Sequence, residues 1–222
     1  MAAAIGRRCG RGALKWYLGG PPRHYGTSPA NVGDCLGPGQ RWRVLSRTPL
    51  PELGVETATV LHHRDCDAKL VHFAADDEIH AFSVSFKTVP FDSTGICHIL
   101  EHVTLCGSER YPVRDPFFKM LNRSMSTFMN AMTGPDYTLY PFSSPSEKDY
   151  YNLMGVYCDA VFRPRLKEQD FRQEGWRLEQ EKLTDPDSKL ILKGVVFNEM
   201  KGVFADSQAH LGRNLIHHLL PR

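Results

Sequence analysis

Acidic residues are absent from the first 33 positions; Asp34 is the first in the chain. Over the same stretch Arg7, Arg8, Arg11, Lys15 and Arg23 stand among Ala, Gly, Leu, Trp and Tyr. This segment also lacks the apolar stretch of a secretory signal. Basic, acid-free and weakly amphipathic, residues 1–33 read as a mitochondrial transit peptide without fixed structure. A disordered basic tail is the alternative that composition leaves open. No run of 18 apolar residues occurs, so no membrane span is expected. Internal repeats and long low-complexity tracts are missing too. The six cysteines form no C-x-x-C pair, and in a reducing compartment they are expected as free thiols rather than as a disulfide framework.

What is present fits an ordinary globular protein. The 222 residues are 41% hydrophobic and 23% charged, enough for one large domain or two small ones with a sizeable core. The net charge of +2 does not call for a polyanionic partner, and no nucleic acid is expected. Gly and Pro crowd residues 36–54, so 34–54 reads as a linker into the fold.

Strand-like segments come next. Residues 55–61 and 69–74 are rich in β-formers, with polar residues 62–68 between them, and predict a hairpin. Residues 79–88 alternate Ile79, Ala81, Phe82, Val84 and Phe86 and predict a third strand. Pro90, Asp92, Ser93 and Gly95 end that strand and supply helix-start chemistry. Helices are predicted over 96–105, 115–129, 146–161 and 165–182, with an extended segment at 136–142. Residues 190–205 pass from β-branched residues into a further helical segment carrying Glu199. Strands first, then mixed strands and helices, predict an α+β layer structure.

The chemistry-bearing pattern lies on the first of these helices. His98-Ile99-Leu100-Glu101-His102 is an H-x-x-E-H sequence, the inverted zincin motif. On an α-helix, positions 98, 101 and 102 fall at about 0°, 300° and 40° around the axis, within one arc of about 100°. The two imidazoles therefore stand one turn apart on one face, within reach of a common metal ion. Glu101 projects beside them, placed to take a proton from water without being a ligand. Ile99 and Leu100 point elsewhere, toward a core. The pattern arises by chance in roughly 2% of chains of this composition, and a surface helix with two solvated histidines would also produce it.

Catalytic zinc sites usually have three protein ligands and a water, so a third ligand is needed. Many carboxylates could supply it, and spacing alone does not choose among them. Cys106 continues the face, but positions 98 and 106 are about 12 Å apart along a straight helix, so Cys106 is rejected.

Longer stretches narrow the reading. Asp92-Ser93-Thr94-Gly95 precedes the motif, and Leu105-Cys106-Gly107-Ser108 and Asp115-Pro116-Phe117-Phe118-Lys119-Met120-Leu121 follow it. Then come Thr127-Phe128-Met129-Asn130-Ala131, Asp136-Tyr137-Thr138-Leu139-Tyr140-Pro141-Phe142, Gln173-Glu174-Gly175-Trp176-Arg177 and Gly194-Val195-Val196-Phe197-Asn198-Glu199-Met200-Lys201-Gly202. On these stretches the chain, from about residue 40 onward, resembles the pitrilysin/insulysin family of inverzincin metallopeptidases, and within it the presequence protease branch.

The resemblance implies a zinc cofactor (Zn2+), with His98 and His102 as ligands, Glu199 as the distal ligand and Glu101 as the catalytic base. It implies an endopeptidase acting on targeting presequences and other unstructured oligopeptides in the mitochondrial matrix, through Glu-activated zinc-bound water. Asn130 and Ala131 resemble the family's edge strand, whose backbone pairs with extended substrate. The implied fold is a pitrilysin/LuxS-like domain, an antiparallel-type sheet with helices packed on one face. Residues 55–222 would be the N-terminal part of that catalytic domain, and the full-length form is expected to be monomeric. Family members are several-fold longer and complete the active site with Arg and Tyr residues from a second half. The expectation is therefore a chain that stops within the first domain, and the alternative function is a zinc-binding but inactive fragment.

Overall fold

Alternation in two strands sets where the first core lies. In β5 (His80–Lys87) the side chains of His80, Phe82 and Val84 are buried, and in β8 (Tyr137–Ser144) those of Thr138, Tyr140, Phe142 and Ser144. The strands pair antiparallel with His80 opposite Ser144, Phe82 opposite Phe142 and Val84 opposite Tyr140, so the buried residues share one face. Helix α3 (Glu147–Phe162) covers that face, with Tyr150 and Tyr157 at ring-centroid distances of 5.6 and 5.1 Å from Phe142. Each such large side chain contributes roughly 1.5–3 kcal/mol on burial.

The computed structural model describes residues 2–7 and 41–219. They form two compact units, one of Met1–Thr88 with Phe118–Cys158, the other of Val89–Phe117 with Asp159–Arg222. The fold class is α+β.

Among the described residues of the first unit, eight strands make one sheet. β1 (Ala2–Arg7), β2 (Trp42–Leu50), β3 (Val55–His63) and β4 (Lys69–Ala75) join β5, β6 (Phe128–Met129), β7 (Met132–Thr133) and β8. The order is β2-β3-β4-β1-β5-β8-β6, with β7 also on β8. All pairs are antiparallel except β1 with β4.

Several elements match the sequence expectation. The hairpin is β3–β4, closed by the His63 N–H to the Ala68 carbonyl at 2.8 Å, and the extended segment is β8. Others differ. The segment 34–54, expected as a linker, contains the nine-residue β2, which pairs with β3 and stacks Trp42 edge-on against His63 at 4.9 Å. Pro49 is tolerated there because β2 is the sheet's outermost strand. Ala2–Arg7 belong to the segment expected as a structureless leader, yet they pair with Leu70–Ala75 and with Ala81–Val84. The remainder of that leader lies outside the described residues.

The helix predicted over 115–129 is only α2 (Pro116–Leu121). Beyond it, side chains capture backbone groups that a helix would have used. Asn122 Nδ2 donates to the Phe118 carbonyl at 3.1 Å, the Met125 N–H donates to Asp149 Oδ2 at 3.1 Å, and the Thr127 N–H joins the Ser143 carbonyl at 2.9 Å.

The second unit is mainly helical. α1 (Ile96–Thr104), α4 (Glu168–Glu174) and α5 (Val195–Val203) pack through Ile99, Val103 and Val196, with Phe171 and Met200 against them. α6 (Ser207–Leu219) follows. The helix predicted over 165–182 is the short α4; Lys167 is extended at its start, and Gly175 ends it. Residues beyond form β9 (Arg177–Gln180), paired antiparallel with β10 (Leu190–Lys193). No helix among the described residues is long and apolar enough to cross a membrane.

Candidate metal centre

Helix α1 presents the H-x-x-E-H residues from one turn and a half of backbone. Ile99 and Val103 anchor its inner face, which leaves His98 and His102 on the adjacent face, half-buried. Their rings stand 4.9 Å apart between centroids at 70°. Glu101 is 5% exposed, so the helix holds its carboxyl group inside the unit. Leu100, expected to pack inward, is 46% exposed instead.

Glu199 arrives from α5. Its Oε2 lies 3.8 Å from His98 Nε2 and 3.7 Å from His102 Nε2. One ligand atom from each of the three residues falls within 4.8 Å of the others, an arrangement that could hold a metal ion. Zinc bound at about 2.0–2.1 Å in tetrahedral geometry places ligand atoms about 3.3 Å apart. The trio is within a few tenths of an ångström of that spacing on two of its sides. Two imidazole nitrogens and a carboxylate are the donor set suited to a catalytic zinc, and the residues fit the ion.

A second carboxylate flanks the trio. Glu174, at the end of α4, places Oε2 3.1 Å from His102 Nδ1. Gln173 Nε2 donates to the other oxygen, Oε1, at 2.9 Å. Arg114 donates in turn to Gln173 Oε1. The hydrogen bond from His102 is the main cause that holds the Glu174 carboxyl below the usual carboxylate range, against the opposing effect of burial. The same bond raises His102 above the usual imidazole value, with burial opposing it and the carboxylates of Glu101, Glu174 and Glu199 adding to it. Within the helix expected over 165–182, spacing does not single out Glu174. The available signal was Phe171, a core residue three positions earlier and therefore on the same helical face as Glu174.

Two glycines hold these parts together. A Cβ on Gly194, at the start of α5, would lie 1.9 Å from the Gly175 carbonyl oxygen, and one on Gly175 would lie 3.1 Å from Ile99 Cγ2. The end of α4 and the start of α5 thus meet backbone to backbone, and the end of α4 meets α1 through the Ile99 side chain. That contact brings Glu174 and Glu199 to the two histidines.

Cys106 stays out of the trio. Its thiol donates to the His102 carbonyl at 3.5 Å, and burial pushes its pKa up to about 12, so it is not a thiolate ligand near neutrality. Among the described residues, Cys66, Cys97, Cys106 and Cys158 form no disulfide.

Asn130 and Ala131 lie in the first unit, between β6 and β7 at the end of the sheet. The Asn130 N–H donates to the Pro141 carbonyl at 3.0 Å and its own carbonyl accepts from the Tyr157 hydroxyl at 3.4 Å. Asn130 Oδ1 accepts from the Ala131 N–H at 3.0 Å. The backbone of Asn130 is therefore turned into the sheet, and its side chain caps the next residue.

The family model for insulinase-type peptidases, Peptidase family M16, matches residues 90–201, which include all four motif-bearing residues and Glu174. A mitochondrial presequence protease of Xenopus tropicalis is 59% identical over 202 residues, covering 90% of this chain and 20% of that protein. The protein of the same description from Mus musculus is 58% identical over 174 residues, 78% of this chain and 17% of its own length. That from Saccharomyces cerevisiae is 57% identical over 159 residues, 72% and 16% respectively. The chain thus spans a fifth or less of the length of these relatives. With this match over half its length, laid across the His-His-Glu cluster just described, the chain belongs to the insulinase family of peptidases, M16.

Proposed function

We propose that the chain is the metal-binding N-terminal part of a zinc-dependent endopeptidase that hydrolyses mitochondrial targeting presequences and other unstructured oligopeptides in the matrix. The observation that carries this reading is that His98, His102 and Glu199 bring one ligand atom each to within 4.8 Å of one another. The peptide class and the compartment are supported by relatives described as mitochondrial presequence proteases.

When bound, zinc acidifies water and polarises the scissile carbonyl. His98, His102 and Glu199 would hold it. Glu101 is the general base: it accepts a proton from the attacking water and returns it to the leaving amine nitrogen. Glu101 stands one residue before His102 on a buried helical turn, and its charge adds to the raised pKa of His102. Extended peptide pairs with the β6–β7 edge through the Ala131 backbone, while Asn130 shapes that edge.

A second reading is that this length of chain binds zinc without turning over peptide, because it covers 16–20% of its relatives. Cleavage of a fluorogenic unstructured peptide, with Glu101→Gln as control, separates the two. Zinc-dependent turnover lost in Glu101→Gln supports the enzyme. Zinc binding without turnover in the 222-residue chain, with turnover in a full-length relative, supports the second reading. Equal turnover in Glu101→Gln overturns the base assignment.

A further inference from the structure

We propose that the cavity between residues 106–114 and 165–173 of the second unit binds a phosphate dianion through Arg114, Arg165 and Lys167. This goes beyond the peptidase reading and uses no side chain of the metal centre.

The cavity measures about 150 Å³, and its lining includes these three cations and a single carboxylate, Asp170. An apolar cavity of about 150 Å³ takes up benzene, so a tetrahedral oxyanion with fewer heavy atoms fits in the same space. Three positive charges against one negative leave an excess of two. A phosphate group carries about −1.5 to −2 at neutral pH and matches that excess, whereas chloride or a lone carboxylate does not. Among the described residues neither Arg165 nor Lys167 makes an ion pair, so nothing in the chain neutralises them. Arg114 is steadied by donating to Gln173 Oε1, and its Nε lies 3.7 Å from Asp115 Oδ2. A guanidinium has five N–H donors, which leaves others for an oxyanion.

The backbone under the three cations is fixed. The Arg165 N–H donates to the Gly107 carbonyl at 3.1 Å, and the Glu109 N–H donates to the Arg163 carbonyl at 3.1 Å. These bonds join the two walls of the cavity. Gly107 has φ of 137°, and a Cβ there would lie 2.9 Å from the Val113 carbonyl oxygen, so the wall takes this path only with glycine. Leu166, between Arg165 and Lys167, holds left-handed backbone at φ 44°, and Asp115, next to Arg114, does so at 51°. Such conformations are rare outside glycine and persist where the surrounding structure imposes them. The cations are thus set around one space by a constrained chain path, unlike lysines and arginines scattered over a solvated helix face.

The test titrates the 222-residue chain with inorganic phosphate at constant ionic strength and about pH 7.5, above the second phosphate pKa of about 6. Arginine side-chain nitrogen NMR is the readout. Saturable shifts at Arg114 and Arg165 are expected, with none from chloride at equal ionic strength. In Arg165→Ala/Lys167→Ala, affinity is expected to fall about tenfold or more, as for the loss of bonds to a charged group. Lys189→Ala, a lysine paired with Glu181 away from the cavity, is expected to leave it unchanged. O-phosphoserine as a second probe separates the sources: tighter binding than inorganic phosphate assigns the site to a phosphorylated side chain, weaker binding to the free ion. Shifts that do not saturate, equal shifts with chloride, or equal affinity in the double variant and Lys189→Ala overturn the proposal. Should the double variant not fold, Lys167→Gln, at an exposed position, reads the same loss.

Discussion

Gly194 sits against Gly175 so closely that a β-carbon on Gly194 would come within 1.9 Å of the Gly175 carbonyl oxygen. Gly194 is in extended backbone, with φ of 168°, so the restriction is one of space and not of dihedral angle. The two residues join the segments that carry Glu174 and Glu199, and the approach of these carboxylates to the two histidines depends on their contact.

Gly194→Ala is therefore expected to push α5 away from α4, at a cost of about 1–3 kcal/mol from the forced backbone shift. Amide hydrogen exchange over 168–175 and 195–203 should accelerate, and zinc affinity should fall with it. Gly202→Ala is the control, since a Cβ there meets nothing within 4 Å. Equal exchange and affinity in the two variants would contradict the account of this contact.

Phe142 makes the corresponding prediction for the first unit. It is 1% exposed, and its ring neighbours are Phe82 at 5.4 Å, Tyr150 at 5.6 Å and Tyr157 at 5.1 Å. Truncation leaves a cavity among large rings that cannot all move in. Phe142→Ala is expected to destabilise the sheet unit by about 3–5 kcal/mol. Urea denaturation followed by far-ultraviolet circular dichroism measures it, and a loss below about 1 kcal/mol would show that the site collapses or that α3 does not cover it.

Alkaline pH offers a separate check. Burial pushes the Tyr150 and Tyr157 phenols above their usual value; the neighbouring Tyr151 and Cys158 add to the effect on Tyr150. A group whose folded pKa is raised keeps its proton in the native state after the unfolded chain has lost it. Its stabilisation is full below about pH 10 and is lost as pH rises beyond that. In a phenolate absorbance titration, Tyr150 and Tyr157 should ionise only as helical dichroism is lost. Ionisation of both near the ordinary value, with the fold intact, would place these rings in water.

Much of this organisation is legible in the residues, and the exceptions have physical reasons. β5 and β8 follow from alternation because their burial is one-sided, and the β3–β4 hairpin follows from two runs of β-formers flanking a polar turn. β2 is hidden by the prolines and glycines around it, and only its pairing with β3 makes it a strand. The same holds for Ala2–Arg7, whose strand exists through partners far along the chain. Helices α2 and α4 stop early because nearby side chains and a glycine contact compete for their backbone, which periodicity does not register. His98, Glu101 and His102 are readable from spacing within one helix. Glu199 is not, since its approach depends on how α5 packs on α1, and only the resemblance pointed to it. Glu174 was missed as a partner of His102 because a long helix was expected to run through it.

The most direct test of the account is the zinc content and affinity of the 222-residue chain and of its His98→Ala, His102→Ala and Glu199→Ala variants. The account predicts one tightly held zinc per wild-type chain and its loss in each variant, with Glu179→Ala, a carboxylate paired instead with Arg177 and Lys193, keeping it. Unchanged zinc binding in His98→Ala or Glu199→Ala would contradict it.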